Sequence, residues 1–184
     1  MNLSTENVTV NGVYLQDVLN IYKDKKEEYN ALFQISDGYE LSNPNSKVPI
    51  SVYNEACDWI EKELGKYNLI KVGRQIGETI YLYMVKANLI SNGAKPEEII
   101  KALIVIASKT IDDPLRRGWE IVESKPNQIL LKRTQTFNGK LQFGILDGLV
   151  RKSGVVSVNV DYAESIENGN DFDIYKITWL NMAK

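Results

Sequence analysis

The chain has no histidine and a single cysteine, Cys57. The missing imidazole removes the commonest general base, the usual partner of a catalytic triad, the commonest metal ligand and the usual proximal ligand of a haem iron. One thiol makes no internal disulfide and fits a reducing compartment. Without histidine it cannot complete a zinc site either. Charge of one sign is also lacking, because 22 basic and 24 acidic residues leave a net −2. That field is too weak to hold a nucleic acid or an anionic membrane surface. The one basic cluster, Lys23, Lys25 and Lys26, is neutralised by Asp24, Glu27 and Glu28 and reads as a solvated helix face.

Long apolar runs are absent. The longest are Ala102 to Ala107 and the interrupted stretch from Ile76 to Ile90, both short of the roughly 20 residues that span a bilayer. The opening MNLSTENVTV has neither the basic nor the apolar region of a secretory signal. A cytoplasmic protein without a membrane span is expected. Its 184 residues suit one domain that buries enough surface to stand without metal or disulfide.

What is present reads as α+β. Val8 and Val10 alternate with polar neighbours, so residues 7–10 form a short strand stopped by Asn11-Gly12. Apolar positions from Val13 to about Gln34 recur at helical spacing, and SDGYELSNPNSKVP then reads as a loop. Helices follow over about 51–64, capped by Ser51 and stopped by Gly65, and over about 69–90. Another starts at Pro96, with Glu97 and Glu98 at its positive end. Its continuation, IIKALIVIASK, is apolar nearly all round, as in a helix buried on most sides. A β-rich run is the alternative there, and the cap residues favour helix.

After Asp112-Asp113-Pro114 the period changes to alternation. WEIVES and QILLKRTQ make a hairpin around Lys125-Pro126-Asn127, a helix covers about 141–152 up to Gly154, and VSVNVDY and DIYKITW close the chain as strands. In the first closing strand Val156, Val158 and Val160 share a face; in the second, Tyr175, Ile177 and Trp179 do, with Asp173 ahead of them. The expected order is β-α4-β-β-α-β-β: a helical part over about 13–110, and a curved antiparallel sheet over about 119–180 joined by the first strand.

Residues with chemistry are few. Cys57 shares a helix face with Tyr53, Ile60 and Leu64 and reads as a buried, inert thiol. Asp112 and Asp113 read as turn formers before Pro114. Asp171 and Asp173, with Asn168 and Asn170, match no calcium loop and read as a solvated turn. Gly73 and Gly77 lie four apart on one helix face. They lack the lysine and hydroxyl of a phosphate loop, so close helix packing is the expectation. Tyr81, Tyr83 and Met84 follow on that helix, as core or as the wall of an apolar pocket.

GRQIGE, WEIVES, FGILDGLVRKSGVVSVNVDY and ENGNDFDIYKITW together resemble a superfamily that includes haem–nitric-oxide-binding domains, four-vinyl-reductase domains and transport-particle subunits. The plan is most similar to a bacterial branch lacking the haem-ligating histidine, in which a strand and helix like Val8 to Tyr14 precede these motifs. The resemblance implies helices and a curved antiparallel sheet enclosing a pocket for a small, often apolar ligand, and a tendency to dimerise. It does not carry the family's functional residues over. The proximal histidine is absent, LLKRTQTF lacks the tyrosine–serine–arginine signature that holds haem propionates, and the closing strands lack the metal-binding cysteines of the vinyl-reductase branch.

The expectation is therefore a non-catalytic, sensor-like domain binding an apolar small molecule between the helix over about 69–90, the helix from Pro96 and the sheet, without histidine-ligated haem, with no metal and no other cofactor. Tyr83, Met84 and Trp119 are the candidate ligand contacts. The alternative is an interaction module that homodimerises or docks a signalling protein, argued from the apolar helix that starts at Pro96.

Overall fold

The computed structural model describes residues 4–43 and 45–181. Its seven strands and six α-helices run β1 (Thr9–Asn11), α1 (Gly12–Asn20), α2 (Asn30–Gln34), β2 (Lys47–Pro49), α3 (Ile50–Leu64), α4 (Lys66–Lys86), α5 (Pro96–Thr110), β3 (Ile111–Asp112), β4 (Trp119–Lys125), β5 (Gln128–Arg133), α6 (Gly139–Arg151), β6 (Val156–Glu164) and β7 (Asp173–Leu180). The class is α+β with antiparallel pairing throughout, as expected.

Contrary to expectation, the first strand does not join the sheet of about 119–180 but takes two partners of its own. Val10 pairs with Val48 of β2 and with Ile111 of β3, giving a small sheet of order β2-β1-β3. β2 lies inside the stretch read as loop, and strands of two or three residues are too short to show alternation. β2 runs straight into α3, so Pro49 occupies the cap position and Ser51 does not cap. The helix expected over 13–34 is interrupted: α1 ends at Asn20, a single 3-10 turn holds Lys23–Lys25, and α2 begins at Asn30. The acidic and basic run between them buries nothing. Tyr22 and Tyr29 instead meet edge to face at 5.6 Å and fold it back.

Gly65 (φ 89°) ends α3 as expected, and α4 stops at Lys86, where Asn88 (φ 55°) turns the chain left-handed. At the start of α5, Pro96 takes the first turn and the Glu98 carboxylate accepts from Lys95 N at 2.8 Å. The helix is not buried all round: Ile99, Ile100, Leu103 and Ala107 form one buried stripe, while Val105 is 46% exposed.

The larger sheet has the order β4-β5-β7-β6. Its inner face carries Ile129, Leu131, Tyr175, Ile177, Val158 and Val160 against α6, which buries nine of its residues. Val156 departs from the expected row and is exposed. Ser157 takes φ 53° and the pairing slips between Val156 and Asn159, so alternation begins only after this bulge.

Helices α4 and α6 meet through four glycines. A Cβ on Gly73 would stand 2.2 Å from Leu141 O and one on Gly77 2.3 Å from Ile145 O. From the other side, a Cβ on Gly144 would stand 2.1 Å from Ile70 O and one on Gly148 2.2 Å from Arg74 O. The Gly73–Gly77 pair therefore serves close packing, as its spacing implied. Arg74 fastens the crossing to Asp147 (Nε to Oδ2, 2.5 Å), and Arg151 reaches the same carboxylate at 2.9 Å.

Candidate functional site

The hairpin β4–β5 delivers the chain to a segment, Thr134 to Asn138, that leads into α6 and is fixed at every step. Gly118 N donates to Thr134 Oγ1 (2.8 Å) and Thr134 N to Gly118 O (2.9 Å). Asn54 of α3 spans the segment's far half: its Nδ2 donates to Thr136 O (2.6 Å) and its Oδ1 accepts from Asn138 N (3.0 Å). Asn138 then caps α6 by accepting from Lys140 N and Leu141 N.

Arg133 is the internal clamp. Its guanidinium is 5% exposed, pairs with Asp173 directly across the β5–β7 ladder, and donates to the carbonyls of Gln135 (3.0 Å) and Phe137. Burial opposes its charge, and Tyr175 and Asp173 more than offset that, leaving the pKa raised. Asp173 also accepts from Ile166 N at 3.0 Å, and the buried Ser165 caps a short 3-10 turn over Ile166–Asn168. The connection between the closing strands, read as a solvated turn, is thus anchored inside by Asp173, while Asp171 stays exposed. The reason is alternation: Asp173 is the first member of the buried row that continues through Tyr175, Ile177 and Trp179.

Next to this segment lies a cavity of about 60 Å³. Its walls come from Val10 of β1, Tyr14 of α1, Tyr53 of α3, Ile76 and Ile80 of α4, and Leu103, Ile106, Ala107 and Thr110 of α5. Ile111, Trp119, Gln135, Phe137, Gln142 and Ile145 complete it. None of these is charged. Burial pushes the Tyr14 phenol up, with Thr110 pulling the other way, and pushes the Tyr53 phenol well above its ordinary value. Both are therefore neutral hydroxyls near pH 7. The Cys57 thiol, behind Tyr53 in α3, is likewise raised by burial and stays protonated.

The polar inventory is unbalanced in the segment beside the cavity. Among the described residues the buried side-chain atoms without a hydrogen-bond partner are Arg133 Nε, Gln135 Oε1 and Thr136 Oγ1, all within one short segment. Gln135, 3% exposed, is the one of the three whose residue lines the cavity. Buried acceptors are nearly always paired.

Of the three residues singled out from sequence, Trp119 lines the cavity, with its ring 5.8 Å from Tyr175. Met84 is fully buried and Tyr83 is 58% exposed, and neither lines it. Gln135, Gln142, Tyr14, Tyr53 and Phe137 were not foreseen. For Gln135 a signal existed: the alternating row Ile129, Leu131, Arg133 of β5 runs on to Gln135 just past the strand, so it closes on two polar residues.

No protein-family model matches the sequence, and no curated protein does. Solved structures do match in fold. The NMR structure of a histidine-to-glycine mutant of an H-NOX domain from Shewanella oneidensis, in the Fe(II)CO ligation state, superposes with a TM-score of 0.64 at 11% identity. The match covers 90% of this chain and 98% of that one. A structure from work on haem distortion in the H-NOX family gives a TM-score of 0.63 at 12% identity, covering 94% and 93%. The fold is that of H-NOX domains.

The residues present do not supply the ligands of a histidine- or thiolate-bound haem. The chain has no histidine, the thiol is buried and protonated, and the cavity is several-fold smaller than the roughly 300–1,000 Å³ that organic ligands occupy. Among the described residues no group of histidine, cysteine and carboxylates is arranged to hold a metal, and no helix is long and apolar enough to cross a membrane.

Proposed function

We propose that this chain is a haem-free, non-catalytic sensor-like domain that takes a small neutral molecule directly into the cavity between its helices and its sheet, acting as one folded unit in the cytoplasm. The observation that carries the reading is an uncharged, mostly apolar cavity of about 60 Å³ walled by α4, α5, α6 and the segment that follows β5. Trp119 supplies one side of that site. Met84 and Tyr83 follow the cavity residues Ile76 and Ile80 on α4 without lining the cavity themselves. The shared fold with H-NOX domains supports a sensing role by analogy. Crystals held under xenon test it, since apolar cavities of this kind take up the gas. An anomalous peak among Ile106, Trp119 and Ile145 is expected. Peaks elsewhere and none there would remove the reading.

A second reading, docking of another copy or of a signalling protein, is favoured by one surface feature. Leu89 and Val105, each 46% exposed, line one groove beside Ala102, and Leu82 of α4 is 61% exposed. Sedimentation at high concentration should then show a dimer that Val105→Glu dissociates; a strictly monomeric native mass removes the self-association version.

A further inference from the structure

We propose a second binding site, apart from the central cavity: the groove between the α1–α2 connection and α4 takes a flat aromatic monoanion of the aryl carboxylate class, and Lys71 selects its charge.

The break between α1 and α2 makes this groove. One wall comes from the connection, through Ile21, Tyr22, Lys25 and Tyr29. The other is a single face of α4, Asn68, Lys71, Val72 and Gln75, at the i, i+3, i+4 and i+7 positions, with Leu64 at the end of α3 beside it. The volume is about 390 Å³, within the roughly 300–1,000 Å³ that organic ligands occupy.

The groove is apolar at its base and basic at its rim. Val72 is buried and Ile21 and Leu64 are half-buried, whereas Lys25 and Lys71 are exposed. Tyr22 and Tyr29, their rings 5.6 Å apart, supply aromatic surface against which a flat ring packs. Burial and Tyr29 push the Tyr22 phenol up, so it stays neutral and adds no negative charge.

No carboxylate lines the groove. Asp24, Glu27 and Glu28 line the neighbouring depression instead, together with Lys23 and Lys26. Lys25 is already engaged, 3.4 Å from Glu28 and 3.1 Å from the Tyr29 hydroxyl. Among the described residues the Lys71 ammonium has no ion pair and no hydrogen bond. One uncompensated positive charge matches one negative charge, which favours a carboxylate over a phosphate dianion. In so open a site the Kd is on the order of 1 mM.

2-Naphthoate, its neutral amide and butyrate separate ring from charge in an NMR titration. Naphthoate should shift the resonances of Tyr22, Lys71 and Val72 saturably. The amide should bind roughly three- to fivefold more weakly, the worth of one exposed ion pair, and butyrate, having no ring, should not saturate. Lys71→Met should bring naphthoate down to the level of the amide, while Lys86→Met, at the far end of α4, changes neither. The native comparison of acid and amide needs no variant. Equal binding of acid and amide, or naphthoate binding untouched by Lys71→Met, overturns the proposal, as do shifts confined to other surfaces. Xenon uptake in the central cavity is a separate readout, so either result here leaves that reading where it stands.

Discussion

Arg133 and Asp173 face each other across two central strands, each about 5% exposed. Such a pair adds little over an apolar one, yet removing one partner strands the other charge in the interior. Here the guanidinium has a second duty, clamping the carbonyls of the cavity segment. Asp173→Asn should therefore cost about 3 kcal/mol in urea unfolding. It should also weaken xenon uptake, because the main chain of the segment beside the cavity loses its clamp. A neutral result would mean the pair is dispensable and the segment holds itself. Alternation places Arg133 with Ile129 and Leu131, and Asp173 with Tyr175, but the sequence reading leaves Arg133 aside and takes Asp173 as part of a solvated turn. Their pairing was not legible, because it depends on the β5–β7 register, which local pattern does not specify.

Among the elements, the α4–α6 crossing is the most demanding. Glycine in a helix interior costs about 1 kcal/mol relative to alanine, and four of them are tolerated because the backbones touch. A methyl on Gly144 would stand 2.1 Å from Ile70 O, a carbonyl with no rotamer to change. Gly144→Ala should cost about 3 kcal/mol despite its better helix propensity, at the upper end for overpacking. Gly118→Ala, where a Cβ meets nothing within 4 Å, should be close to neutral in the same urea series. Equal effects at both positions would refute the crossing. The Gly73–Gly77 spacing could be read from sequence, but its match to Gly144–Gly148 is tertiary. Where an end signal is strong, as at Pro96 of α5, the sequence places the first residue of the helix. The short strands β2 and β3 carry too few residues for any period and escaped.

On the scale of the whole molecule, the closing strands and the change from helical spacing to alternation were enough to indicate the fold, and H-NOX structures superpose over nine-tenths of the chain. The cavity was out of reach of sequence because its walls come from Val10 through Ile145 and meet only after folding. Only Trp119 was anticipated among them. The central claim is that this scaffold encloses a small neutral ligand in place of haem. Titrating the purified protein with ferric and ferrous protoporphyrin, while following the Soret band, tests it most directly. The account predicts no saturable one-to-one complex and unchanged xenon uptake in the cavity. A stoichiometric complex with a sharp Soret band, and loss of xenon uptake, would contradict it.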